Sequence, residues 1–496
     1  MNKKLILKVI GLIMMIEAAL LVVPLLLALF YHEHDWIYFL YTIIGSGVIG
    51  FVLYSLRCKK KTLHAQDGYF TVGLAWVVLA AVAAVPLCVS GYIPSYLDAI
   101  FETVSGFTTS GVTIMDDVEI LSYSMQFWRI MTHWVGGMGI LVFMLAISPV
   151  AGGGSAIHML RAESPGPTTE KISPRISTTA RYLYLIYIIL TVLQVICLMI
   201  TGLSAYHSTL IAFGTMATGG FSYSNASLAM LTVGQRNIVT VFMLLAGVNF
   251  ALYFLAVTGK IKDAIKNEEF LWYAAIYVIG CVAMTISVCV RHVYDTVGDA
   301  IHRVTFTMAA LITTTGYSCT NVDLWPWFAK HLILLLMFFG ACAGSTAGGI
   351  KVSRVGIMIK SLRDSLHNLI HPRSVNRVRF NYKEVPHDVI RSVRFYFCLF
   401  IVLYAISMVI VSLDPKGDFI TAFAAVDTTI GNNGIGLEGA NGPFSGFAWY
   451  SKVVFIIDML IGRLEIFPVI ILLNSIITPA KNAGRAVIKE IRRHRV

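Results

Sequence analysis

The sequence predicts an all-α polytopic membrane protein, and three observations carry that prediction. Hydrophobic residues make up 57% of the 496 positions and charged residues only 13%. With a mean hydropathy of +0.75, this lies far from a soluble domain's profile. Apolar runs of 18 or more residues recur, each long enough to cross a hydrocarbon core of roughly 30 Å. Thirty of the 38 Lys and Arg residues fall in six stretches (1–8, 57–67, 151–181, 260–269, 351–394 and 481–496), all on one side of a topology with paired crossings. That is the asymmetry of cytoplasmic loops. The net charge of +11 is therefore read as topology, and no nucleic-acid partner is expected. Lipid is the expected surrounding partner, and both termini are expected on the cytoplasmic face.

Residues 1–61 form the first unit, an N-terminal transmembrane hairpin. Lys3, Lys4 and Lys8 precede an apolar stretch from about Val9 to Phe30. It is too long for a signal-peptide core and shows no small-residue cleavage site, so it reads as a retained helix. Helices over about 9–31 and 36–57 turn at His32–Asp35, and Lys59-Lys60-Lys61 brings the chain back to the basic side. Eight scattered Cys, with no C-x-x-C pair and no metal spacing, read as small apolar packing residues.

A second kind of unit then repeats four times, over 62–160, 161–265, 266–375 and 376–496. Each consists of a crossing, a shorter apolar segment, a glycine strip and another crossing, giving pseudo-fourfold M1–pore loop–M2 repeats. The segments are 69–91, 97–108, 109–113 and 126–150; then 182–202, 206–217, 218–222 and 236–259. They continue as 270–290, 302–313, 314–318 and 326–360, and finally 393–413, 418–430, 432–436 and 449–478. The short segments hold about 12 helical residues, roughly 18 Å, enough to enter a membrane but not to span it. Irregular backbone beyond them is tolerable only where it lines a water-filled path or is covered by protein.

The strips read Thr109-Ser110-Gly111-Val112-Thr113, Thr218-Gly219-Gly220-Phe221-Ser222, Thr314-Thr315-Gly316-Tyr317-Ser318 and Asn432-Asn433-Gly434-Ile435-Gly436. Their key glycines lie 109, 96 and 118 residues apart. Near-even spacing of four copies implies four quarters closing around one axis. Glycine permits backbone that L-residues resist, so successive carbonyls can turn inward and replace the water around a cation. A short helix ahead of each strip would aim its partially negative C-terminal end at the same place. The candidate ligands are therefore Thr109, Ser110, Gly111 and Val112; Thr218, Gly219, Gly220 and Phe221; Thr314, Thr315, Gly316 and Tyr317; and Asn432, Asn433, Gly434 and Ile435. T-x-G alone is common; the fourfold recurrence is the specific signal.

The strips, the four units and the extra hairpin resemble the Trk/Ktr/HKT superfamily of potassium transporters, in its bacterial TrkH/TrkG type, over essentially the whole chain. The resemblance implies K⁺ as the bound and transported ion, since glycine fills all four key places, and no organic cofactor. It also implies a homodimer in the bacterial cytoplasmic (inner) membrane, with a TrkA-type nucleotide-binding regulatory subunit docked on the cytoplasmic side. Asn432 stands where the other strips have Thr, which makes the fourth strip the departure from pattern.

Gly462-Arg463-Leu464-Glu465 lies mid-helix in the last crossing. A cation there must face water or a partner. Two readings stand: an ion pair with Glu465, Asp458 or another acid, or a charge in the cavity beneath the strips opposing leakage. The resemblance assigns this arginine a gating role. Gly340 to Lys351 interrupts the third unit's second crossing; Gly344, Gly348 and Gly349 should unwind it. That segment reads either as close helix packing or as an intramembrane loop like the family's gate. It is not a phosphate loop, because Ile350 separates Gly349 from Lys351 and no strand precedes it. Gly136-Gly137-Met138-Gly139 reads as a packing surface. Asp116, Asp117 and Glu119 follow the first strip on the outer side and read either as a plain solvated loop or as carboxylates that concentrate cations at the mouth. Glu102 and Asp427 are candidate supports for strip geometry.

The alternative function is a secondary cation-coupled symporter for a small solute. It calls for inverted halves, whereas these units share one orientation. No enzyme is expected: His133 is the nearest thing to a catalytic group and reads as structural.

Overall fold

A computed structural model describes residues 2–58, 65–139, 176–372, 377–464, 466 and 469–470. Glu465, the far half of the 126–150 crossing and the basic tail lie outside them. Among the described residues, six helices have the length and apolarity to cross a membrane: Lys3–Phe30, Trp36–Tyr54, Asp67–Val89, Arg181–Ile200, Glu268–Val290 and His387–Val411. The last four coincide with the expected first crossings of the four units. Large apolar side chains such as Phe51, Ile279 and Ile401 are exposed on their outer faces, as lipid contact requires. The only sheet among the described residues is a two-stranded antiparallel ribbon, Arg379–Phe380 with Lys383–Glu384, beside the helix Val352–Ile370.

The N-terminal hairpin forms as expected, with one interruption. Helix Lys3–Leu20 gives way at Leu21 to Val22–Phe30. Pro24 has no N–H to offer the Leu20 carbonyl, which accounts for the break.

Four short helices follow the first crossings: Tyr96–Thr108, Ala205–Met216, Val297–Ile312 and Phe419–Ile430. At 12 to 16 residues they are about 18–24 Å long. Each starts at a side-chain cap: Ser95, Ser204, Thr296 and Asp418 accept from the N–H groups of Asp98, His207, Asp299 and Thr421. Such caps satisfy donors that a helix entering a membrane could not otherwise cover.

One second crossing departs from expectation, and another is interrupted where the glycines predict. The 236–259 segment is not one rod: Val233–Ala246 and Phe250–Val257 meet at 92°. Asn249 caps the second arm by accepting from the Ala251 N–H at 2.9 Å. The backbone freed at the bend is taken up elsewhere, since Cys342 N–H donates to Gly247 O and Phe250 N–H to Gly344 O. The 326–360 segment keeps only Trp327–Met337 as its apolar arm; Val352–Ile370 is a separate helix carrying Lys360, Arg363 and Asp364.

Candidate functional site

Each short helix ends in the same backbone motif. Thr109, Thr218, Thr314 and Asn432 adopt left-handed φ values of 55°, 53°, 51° and 51°. Their N–H groups bond three residues back, and those of Ser110, Gly219, Thr315 and Asn433 bond five residues back, to Ser105, Gly214, Ala310 and Thr428. This is the Schellman arrangement, usually built on glycine. A β-branched Thr there is strained, and three Thr in one pattern mean that the surroundings impose it. Asn tolerates this region better than most L-residues, which explains why the fourth strip departs in composition without departing in shape.

Two residues on, Gly111, Gly220, Gly316 and Gly434 have φ of 81°, 83°, 79° and 73°. All four are partly exposed while the residues on either side of Gly220, Gly316 and Gly434, and Ser110 and Val112 beside Gly111, are buried. A Cβ on Gly111 would strike the Gly219 carbonyl oxygen, one on Gly220 that of Thr315, one on Gly316 that of Asn433, and one on Gly434 that of Ser110. The contacts run from first strip to second, third, fourth and back to first. The four strips form a closed ring, with the carbonyl before each glycine lying against the glycine of its neighbour.

Two of the carbonyls after the glycines have partners outside the ring. The Val112 carbonyl accepts from Ser105 Oγ at 2.5 Å and that of Phe221 from Tyr317 Oη at 3.4 Å, so both turn back from the ring. Side chains of Phe221, Tyr317, Val112 and Ile435 are buried behind it. Asn432 Nδ2 donates to Thr108 O at 2.8 Å, and Asn433 Nδ2 to Leu311 O at 3.1 Å, tying the fourth strip to both neighbours. Buried hydroxyls of Thr109 and Ser110 and the amide oxygens of Asn432 and Asn433 have no protein hydrogen-bond partner. The Asn432 oxygen faces Gly462 of the last helix, so the oxygens placed at the ring are the backbone carbonyls of residues 110, 219, 315 and 433.

Several supports were not identified from the sequence. Arg129 Nε donates to Glu102 Oε1 at 2.5 Å, and Glu102 also accepts from Thr113 and the Ile114 N–H. Glu102 thus does brace its strip, through a partner the sequence reading did not name. Intramembrane charge is the signal that could have found Arg129. His133 is structural, as expected. Its Nδ1 faces Gly106 O at 2.6 Å and its Nε2 faces the Phe221 N–H at 3.1 Å, partners that fix the neutral Nδ1–H tautomer. Asp427 is buried with both carboxyl oxygens lacking a protein partner, so no strip contact is assigned to it.

Beneath the ring lies the segment 339–350. Its ends are clipped together, Gly340 N–H to Ile350 O and Ile350 N–H to Phe338 O. Gly348 N–H donates to Thr314 Oγ1 at 2.7 Å, and a Cβ on Gly348 would meet Asn432 and Gly431 O. Gly344 and Gly349 take positive φ, 74° and 63°. Close helix packing is therefore not what these glycines do; they shape a loop pressed against strips three and four. Buried Glu269 holds both flanks, accepting from Ala343 N–H at 2.7 Å and Ser353 N–H at 3.2 Å.

Arg463 meets this loop. It donates to Thr346 O at 2.6 Å and to Gly136 O and Gly137 O at 2.6 and 2.7 Å. Asp458, one candidate partner, instead accepts from Ser407 Oγ at 2.8 Å. Gly136 and Gly137 do pack closely, against Phe107 and Ala217, but their carbonyls also receive the guanidinium. Gly462, without a side chain, lets the last helix approach Asn432. Outside, Asn225 Nδ2 donates to Asp117 at 2.7 Å and, with the Glu119 N–H, holds that carboxyl below its ordinary range.

Comparison with known proteins follows the same outline. The TrkH family model, described as cation transport protein, matches residues 38–484. The chain is 33% identical over 478 residues to the Trk system potassium uptake protein TrkH of Escherichia coli K12, covering 95% of this chain and 98% of that one. It is 32% identical over 465 residues to the Trk system potassium uptake protein TrkG of the same organism, covering 91% and 94%. The crystal structure of the potassium transporter TrkH from Vibrio parahaemolyticus superposes with a TM-score of 0.85 at 31% identity, covering 95% of this chain and 99% of that one.

Proposed function

This chain belongs to the TrkH family of cation transport proteins, and from that premise we propose that it takes up potassium ions through the centre of the glycine ring. The observation that carries the proposal is the closed circuit of contacts in which each glycine abuts the carbonyl of the next strip. A dehydrated cation on that axis meets oxygens from four directions, and the Schellman bonds hold those oxygens in place before it arrives. Partially negative helix C-termini add to the attraction.

Passage inward is controlled one layer below. The 339–350 loop lies under strips three and four, and Arg463 bonds it to Gly136 and Gly137 from the opposite side. A guanidinium on the ion's route repels a cation, and a loop held by single hydrogen bonds can exchange them. The reading extends to a cytoplasmic-membrane location with cytoplasmic termini, a homodimer and a TrkA-type cytoplasmic subunit acting on the loop. Exposed Arg363, Arg377, Arg379, Lys383, Arg391 and Arg394 support a cytoplasmic docking surface.

Flux of K⁺, Rb⁺, Na⁺ and Li⁺ into vesicles containing the purified chain tests the proposal. K⁺ and Rb⁺ are expected to enter well ahead of Na⁺ and Li⁺; equal K⁺ and Na⁺ entry would overturn it.

A further inference from the structure

The ring has four junctions, and they are not built alike. Second to third is spanned by Tyr317 Oη, 3.4 Å from the carbonyls of Ile211 and Phe221. Third to fourth has the Asn433 amide on Leu311 O, and fourth to first the Asn432 amide on Thr108 O. All of these are neutral. First to second is charged and fully buried: the Arg129 and Glu102 side chains are 2% and 0% exposed.

The pair is wired into a strip on each side. Glu102 accepts from Thr113 Oγ1 at 2.9 Å and Ile114 N–H at 2.7 Å, just past Gly111. Arg129 donates to Ser222 O at 3.0 Å and covers the Phe221 ring at 3.6 Å, just past Gly220. One turn on, His133 repeats the bridge from Gly106 O to the Phe221 N–H. Ion pairs Lys330–Glu438 and Lys452–Asp98, both 2.9 Å, also join neighbouring units. Their lysines sit at the fourth residue of their helices, and their carboxylates are 40% and 24% exposed, so these belong to the outer rim.

We infer that Arg129 and Glu102 are positioning residues that set the separation of the first and second strips, and so the ring's discrimination between K⁺ and smaller cations. The inference rests on the ion-passage reading above. Its physical basis is stiffness: a charge-assisted contact buried from water resists stretching more than a neutral one. A ring clamped at one junction keeps its aperture there when a smaller ion would draw the oxygens inward. The Glu102 carboxylate also balances the charge of the guanidinium beside the ring, so that the pair as a whole does not repel the ion.

The test is the K⁺-to-Na⁺ flux ratio of the full chain in vesicles, with thermal stability measured alongside. R129K keeps the charge and loses the planar fork; E102D keeps the carboxylate and shortens its reach. Each is expected to lower the ratio roughly tenfold, mainly by admitting Na⁺. The rim variant K330Q is expected to keep the wild-type ratio. If R129K does not fold, E102D carries the same comparison. Folded R129K or E102D with the wild-type ratio, whatever its stability, would overturn the inference. A wild type without K⁺ preference would instead remove the function on which it rests.

Discussion

In the strip ring, every glycine is hemmed in by the next strip, and the backbone behind it is closed by bonds within its own helix. In the layer below, the 339–350 loop is clipped to itself at its ends and at Cys342–Ser345, and between these points it is held by other segments: Gly247, Phe250, Glu269, Thr314 and Arg463. Both layers are built from small residues at positive φ. The difference lies in where their hydrogen bonds go. A segment bonded to itself and wedged on both sides has one arrangement; a segment held by separable bonds to several neighbours can trade them. The first suits ion selection and the second suits gating.

The comparison breaks most sharply at the ring. G220A adds a Cβ against the Thr315 carbonyl at a φ that alanine resists. K⁺-over-Na⁺ preference in vesicle flux should fall about a hundredfold or more, in line with an ångström-scale misplacement. In the lower layer, R463A removes the charge-assisted bonds to Thr346, Gly136 and Gly137. Passive cation flux should rise about tenfold with the K⁺/Na⁺ ratio unchanged. A smaller effect of the same kind belongs to E269Q, which keeps its shape and loses its charge. Flux should rise a few-fold, for a loss of about 1 kcal/mol at the loop's flanks.

Two gentler changes separate the layers further. Thr218 spends its hydroxyl on the adjacent Ala217 carbonyl, so T218G mainly relieves left-handed strain. Stability in detergent should rise by up to about 1 kcal/mol, with selectivity kept. T314G also relieves strain but forfeits the Gly348 contact, and should increase flux. Smallest of all is D117N at the outer mouth. Because the Asp117 pKa lies below its ordinary 3.8, its charge is present above that value and lost only as pH falls through the lowered one. The variant should lower K⁺ entry slightly at low ionic strength, by the same factor from pH 5 to 8, and not at high salt.

Most of this architecture can be read from residues alone because it depends on local rules. First crossings are long apolar runs, and the recurring strip glycines already point to backbone that L-residues resist, whereas the left-handed Thr two residues earlier is imposed by its surroundings. The 92° bend was missed because apolarity continues across it; Gly247 and the capping Asn249 were the available signals. Glu102 stood out as an acid in a short helix, yet its partner Arg129 lies 27 residues on, where no periodicity connects them. Arg463 donates to carbonyls of Thr346, Gly136 and Gly137, and a backbone oxygen leaves no mark in composition. Long-range polar contacts to backbone are the class of interaction that sequence pattern does not carry.

The most direct measurement is anomalous diffraction from crystals of this protein grown in Rb⁺ or Tl⁺. The account predicts a peak on the ring axis, within coordinating distance of the carbonyl oxygens of residues 110, 219, 315 and 433. An ordered ring with no peak there, or with the ion held elsewhere, would contradict it.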